Sequence, residues 1–130
     1  MKNIFKIILV VLTLWATPAL ASDISFELNK KELNAGGEFV VNVEINSTES
    51  INAVEGRVKF DSGMLELGAV REGGSVINFW VEKPYLESEG SIFFSGITPG
   101  GFSGESTLFG LVFVGKKVGR AELSFADLKI

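Results

Sequence analysis

The side chains of this sequence that could do chemistry are carboxylates and little else. Its 130 residues hold sixteen Asp plus Glu and twelve Lys plus Arg, with neither His nor Cys. A hydroxyl nucleophile with an imidazole base, a thiolate, haem ligation through His or Cys, and zinc on its ordinary nitrogen and sulfur ligands are thereby excluded. Disulfides are excluded too. What remains is catalysis by carboxylates, Lys or Tyr, with two acids placed across a scissile bond as the one hydrolytic apparatus, or a hard cation held by oxygens. Glu87-Ser88-Glu89, ahead of Gly90, reads as a turn between strands, and the Asp-x-Asp-x-Asp-Gly order of a calcium loop is absent. The expectation is therefore a non-catalytic protein with no cofactor and no metal site of its own.

Recognition has better material. From Ala53 to Asp61, apolar Val54, Val58 and Phe60 alternate with charged Glu55, Arg57, Lys59 and Asp61, which puts Ala53, Glu55, Arg57 and Lys59 on one wet strand face. Ile92-Phe93-Phe94 and Leu111-Val112-Phe113-Val114 are apolar on both faces. If Ile92, Phe94, Leu111 and Phe113 point to the core, Phe93, Val112 and Val114 point outward. Near the charged strand they would form an apolar patch with a polar rim, the pattern of a protein-binding surface. Trp80 and Tyr85 offer an alternative, a platform for stacking sugar rings, although a flat platform usually needs more aromatics than these. Nucleic acid is set aside, because the basic clusters do not exceed the pairs Lys30-Lys31 and Lys116-Lys117.

The elements that must position these residues follow from the spacing. Residues 1–21 read as a secretory signal: a basic start with Lys2 and Lys6, the apolar run Ile7 to Ala16, and an Ala19-Leu20-Ala21 exit. A membrane anchor is the weaker reading, since the run is short for a span and Pro18 interrupts it. The remaining segment, 22–130, keeps ten of the twelve basic and all sixteen acidic side chains, a net charge of −6. It is expected to be one secreted domain that stays off the membrane after signal cleavage. Short alternating runs recur at Ile24–Leu28, Phe39–Ile45, Val54–Phe60, Leu65–Val70, Asn78–Glu82, Ser91–Gly96, Thr107–Val114 and Arg120–Leu128. Gly, Asn, Ser and Asp punctuate them, and helical spacing hardly occurs. The pattern predicts an all-β, two-sheet sandwich of about nine strands.

Taken in order, several runs resemble a cohesin domain. They are Glu38–Val43, the step from Val54 to Leu67 with Phe60-Asp61 ahead of Leu65-Glu66-Leu67, Gly90–Gly96, Gly101-Phe102-Ser103-Gly104 leading to Leu108, and Gly119–Lys129. The resemblance spans nearly all of 22–130 and implies a jelly-roll sandwich that docks a dockerin module of another protein, one often joined to a polysaccharide-degrading enzyme. It implies that Glu55 stands where an Asp is common and Ala53 where an Asn is common, both on the partner-binding sheet. It puts Tyr85 close to a frequent contact position. Any calcium would be held by the partner, and the location would be extracellular or at the cell surface.

Overall fold

The structure, a computed structural model, describes residues 22–28 and 34–130; the leader assigned to 1–21 lies outside them. Six strands occur among the described residues: β1 (Ser22–Leu28), β2 (Glu38–Phe60), β3 (Leu65–Arg71), β4 (Phe79–Ser88), β5 (Ser91–Gly115) and β6 (Leu123–Lys129). All pairings are antiparallel. β2 and β5 each run through both layers of a sandwich. The first part of β2 pairs with β1 and with the second part of β5, which in turn pairs with β3. The second part of β2 pairs with β6 and with the first part of β5, whose other neighbour is β4. The back sheet thus reads β1–β2–β5–β3 and the front sheet β6–β2–β5–β4, so six elements supply eight ladder positions where about nine strands were expected.

The long strands change sheets at an irregular corner. Buried positions on β2 are odd-numbered at first, Phe39, Val41, Val43 and Ile45, and become even-numbered at Val54 and Val58. An alternating strand can do this only by slipping register, and the β2–β5 ladder shifts between Ser47 and Ile51 and again before Ala53. Gly100 and Gly101 supply the left-handed conformations on the β5 side, with φ of 85° and 84°. The Thr98 hydroxyl donates to the Ile51 carbonyl across the corner. The sequence pattern therefore presented each long strand as two separate runs.

Between the sheets the core is aromatic. Phe94 of the front sheet meets Phe109 of the back sheet at 4.8 Å, and Phe60 meets Phe113 at 5.1 Å. Phe26 of β1 stacks on Phe125 of β6 at 4.0 Å. On the opposite flank the 72–78 connection closes the sandwich: Ile77 is buried, and the Val76 amide donates to the Thr107 carbonyl at 3.0 Å. Ile92, Phe94, Leu111 and Phe113 all point into this core, as alternation required.

The β4–β5 hairpin turns on Glu89-Gly90 rather than on Glu87-Ser88-Glu89, so Glu87 and Ser88 belong to β4. Gly90 has φ 73°, and a Cβ there would lie 2.6 Å from the Phe60 carbonyl oxygen. Gly90→Ala should destabilise the domain by roughly 1–3 kcal/mol in urea denaturation. Gly74→Ala has nearly the same φ, 78°, but open space around it, and should cost only about 1 kcal/mol. Equal costs would mean that the close approach to Phe60 is unimportant.

Candidate functional site

The front sheet exposes one continuous outer face. Register sets Ala126, Arg57, Phe93 and Tyr85 in a row across β6, β2, β5 and β4. Flanking rows pair Lys59 with Ser91, Glu55 with Ser95, and Ala53 with Ile97 and then Phe79. Ala53, Glu55, Arg57 and Lys59 therefore stand on one side of β2, as their alternation predicts, with Phe93 beside them on β5. Tyr85 joins them, 43% exposed and edge-on to Phe93 at 6.0 Å.

Arg57 is the hub of this face. Its guanidinium lies over the Phe93 ring, 4.9 Å from the centroid, and reaches across β5 to Glu87 on β4. Nε donates to Glu87 Oε2 at 2.7 Å and Nη2 to Oε1 at 3.0 Å, the two-pronged geometry of a strong Arg–carboxylate pair. On the other side Nη1 donates to Asp127 Oδ2 at 3.1 Å. One side chain thus ties together all four strands of the sheet. Lys59 Nζ donates to Ser91 Oγ at 2.9 Å, and Lys129 Nζ sits 3.8 Å from Glu55 Oε2.

Asp127 reaches Arg57 because β6 carries a bulge. Glu55 pairs with Lys129 while Arg57 pairs with Ala126, so β6 spends one extra residue, and Asp127 sits there with φ 52°. Strict alternation gives no hint of this contact. Glu87 was legible in principle, since it shares the parity of Tyr85, but reading it as part of a turn hid it.

The hydrogen bond to Glu87 raises the Arg57 pKa above its ordinary value, against some desolvation, and the charges of Glu87 and Asp127 add to this. Arg57 is thus cationic at every usable pH. The same hydrogen bond, helped by the charges of Arg57 and Lys59 and opposed by desolvation, holds the Glu87 carboxyl below its ordinary value. A depressed carboxylate pKa stabilises the fold above its unfolded value, and that stabilisation disappears as pH falls through the folded one. The thermal midpoint of the wild type should therefore drop more steeply than that of Glu87→Gln once pH falls below about 4.5, the ordinary value. Parallel melting curves would remove Glu87 from the account.

Two sequence-based expectations are corrected. Val112 and Val114 do not join Phe93: they lie on the back sheet, where Val112 pairs with Val40 and Ala69 and is only 7% exposed. The cause is the corner in β5, which carries its two halves onto different sheets. The exposed apolar side chain beside Phe93 is instead Tyr85, and further along β4 Phe79 and Val81 are 60% and 54% exposed. Nor do Trp80 and Tyr85 form a sugar platform. Trp80 pairs with Gly96 at an inward position and packs edge-on against Phe109 at 6.2 Å, whereas Tyr85 faces out against Phe93.

Away from this face, some polar side chains pair across neighbouring strands. On the back sheet the Thr107 hydroxyl reaches both Glu44 oxygens, at 2.9 and 3.0 Å, and Asn46 donates to Glu105 at 3.2 Å. Among the described residues no group of three or more acidic side chains is arranged to hold a metal ion, and no helix is long and apolar enough to cross a membrane.

The architecture matches solved structures closely. A type II cohesin domain from the cellulosome of Acetivibrio cellulolyticus superposes with a TM-score of 0.69 at 18% identity, over 83% of this chain and 76% of its own. The chain has the cohesin fold. A non-cellulosomal cohesin from the archaeon Archaeoglobus fulgidus matches with a TM-score of 0.66 at 18% identity, over 82% of this chain and 76% of that one. The sixth cohesin of scaffoldin B from Acetivibrio cellulolyticus, crystallised in complex with a dockerin, gives 0.64 at 22% identity, over 79% and 81%. No family model and no curated protein matches the chain. At such identities the cohesin fold is what is shared, and the chemistry of the outer face has to be argued from this chain's own side chains.

Proposed function

We propose that the chain is a non-catalytic docking module that binds a dockerin-type module of another protein on its β6–β2–β5–β4 face. The observation that carries this reading is the outer face itself, where Phe93 lies under a fixed guanidinium with Tyr85 edge-on beside it, and the pair is rimmed by Glu55, Lys59, Glu87 and Asp127. Apolar anchors within a charged border give affinity at the centre and discrimination at the edge. Structural neighbours crystallised as complexes with dockerins support the same partner class. Under this reading the chain is exported by its leader and works outside the cell or at its surface. Calcium belongs to the partner, and a link to polysaccharide breakdown runs through whatever the partner carries.

Ala53, Glu55, Arg57, Lys59, Tyr85 and Phe93 are the contact residues of this proposal, joined by Glu87 and Asp127. The deciding experiment is capture from culture medium of the source organism on the immobilised protein, with and without a calcium chelator, beside an insoluble-polysaccharide binding assay. A protein partner lost on chelation supports the reading. Retention on polysaccharide with no protein captured overturns it in favour of a carbohydrate-binding module.

A rim charge acts mainly on the encounter rate. Glu55→Lys should slow association with the captured partner more at low than at high ionic strength, because salt screens charges separated by more than about 10 Å at 0.1 M. A loss of equal size at every salt concentration would deny Glu55 a steering role.

A further inference from the structure

Resting on that docking reading, we propose that the Arg57 guanidinium is a fixed platform onto which the partner lays an aromatic side chain, and that this position rejects an acidic one. Ordinarily an exposed arginine on a binding face invites a carboxylate. Here each of its three nitrogens already meets a carboxylate oxygen: Nε and Nη2 at Glu87, Nη1 at Asp127. A third acid would arrive between two anions held on opposite sides by different strands, β4 and β6. Its charge would be repelled, and the Nε–Nη2 fork that makes an Arg–carboxylate pair strong is already taken by Glu87.

What the side chain still offers is its outer surface. Phe93 supports the guanidinium from below and Tyr85 braces Phe93 from the side, while 29% of the Arg57 side chain stays open to solvent. A guanidinium is planar and weakly hydrated, so its face stacks flat on a ring, whereas an ammonium meets a ring only as a strongly hydrated point charge. The ion pairs on both sides hold it in place, so little freedom is lost when a ring settles on it. Phe93 is thereby reached through Arg57, as the lower layer of a stack.

The test is an NMR titration of the isotope-labelled full chain with two probes, N-acetyl-tryptophanamide and N-acetyl-glutamate α-amide, followed at the Arg57 Nε–H signal and the Phe93 and Tyr85 rings. The tryptophan probe should move these signals along a saturating curve and bind at least about threefold more tightly than the glutamate probe. Arg57→Lys, which keeps the charge and loses the plane, should weaken the tryptophan probe by about threefold to tenfold. Glu87→Gln, which removes one flanking anion, should strengthen the glutamate probe. A flat tryptophan titration, equal affinities, or unchanged binding in Arg57→Lys overturns the platform. The docking reading fails separately, if partner capture survives both Phe93→Ala and Glu55→Lys. If capture depends on this face while the probes show no preference, the platform alone falls.

Discussion

Phe109→Ala is expected to cost about 3–5 kcal/mol of stability, the range for removing a large ring from a packed core. Phe109 is 1% exposed and lies where the two sheets meet, touching Phe94 at 4.8 Å and Trp80 at 6.2 Å. Truncation would open a cavity bordered by rings from two front-sheet strands, and neither sheet can move in to fill it without breaking the register that β2 and β5 impose on both. Domains of this size have about 5–15 kcal/mol in total, so the variant should sit near its folding limit. Urea denaturation measures the loss. Phe125→Ala is the comparison: its ring stacks on Phe26 at the half-buried flank of the sandwich, and its loss should cost clearly less. Similar costs for both would mean that the core is not organised around the Phe94–Phe109 contact.

Phe93→Ala is expected to weaken partner binding by more than about 1 kcal/mol, with roughly 2 kcal/mol, about thirtyfold in Kd, if Phe93 is the central anchor. The side chain is half-buried on the outer face, so the fold should survive its removal. Without the ring, Tyr85 loses its edge-on neighbour and Arg57 the surface beneath it, although the ion pairs to Glu87 and Asp127 can persist. Isothermal titration against the captured partner, together with a urea denaturation curve, separates the possibilities. Full-strength binding by a folded variant would remove Phe93 from the interface. Loss of folding would assign it to the core.

The front-sheet face was legible in part. Alternation alone put Ala53, Glu55, Arg57 and Lys59 on one side of β2 and Phe93 outside Phe94, because a strand's side-chain period of two is a local property of the backbone. Val112 and Val114 obeyed the same local rule and do point away from the core side, yet they belong to the other sheet. Alternation fixes a side of a strand and says nothing about which sheet that stretch of strand has joined. Asp127 escaped for a related reason: one bulge residue resets the alternation, and nothing in Phe125-Ala126-Asp127-Leu128 announces it. Trp80 and Tyr85, grouped as a pair by their chemistry, were separated by the pleat.

Side-chain alternation was enough to read short strands with apolar inner faces, and composition was enough to restrict any chemistry beyond binding to carboxylates, Lys, Tyr or a hard cation on oxygen ligands. Local composition and period suffice for both. It took the folded chain to show that β2 and β5, of 23 and 25 residues, cross between sheets, and that Arg57 rests on Phe93 with Glu87 on one side and Asp127 on the other. Those partners are 30 and 70 residues away from Arg57 along the chain. They meet because register brings four separate strands side by side, and no local pattern encodes that alignment.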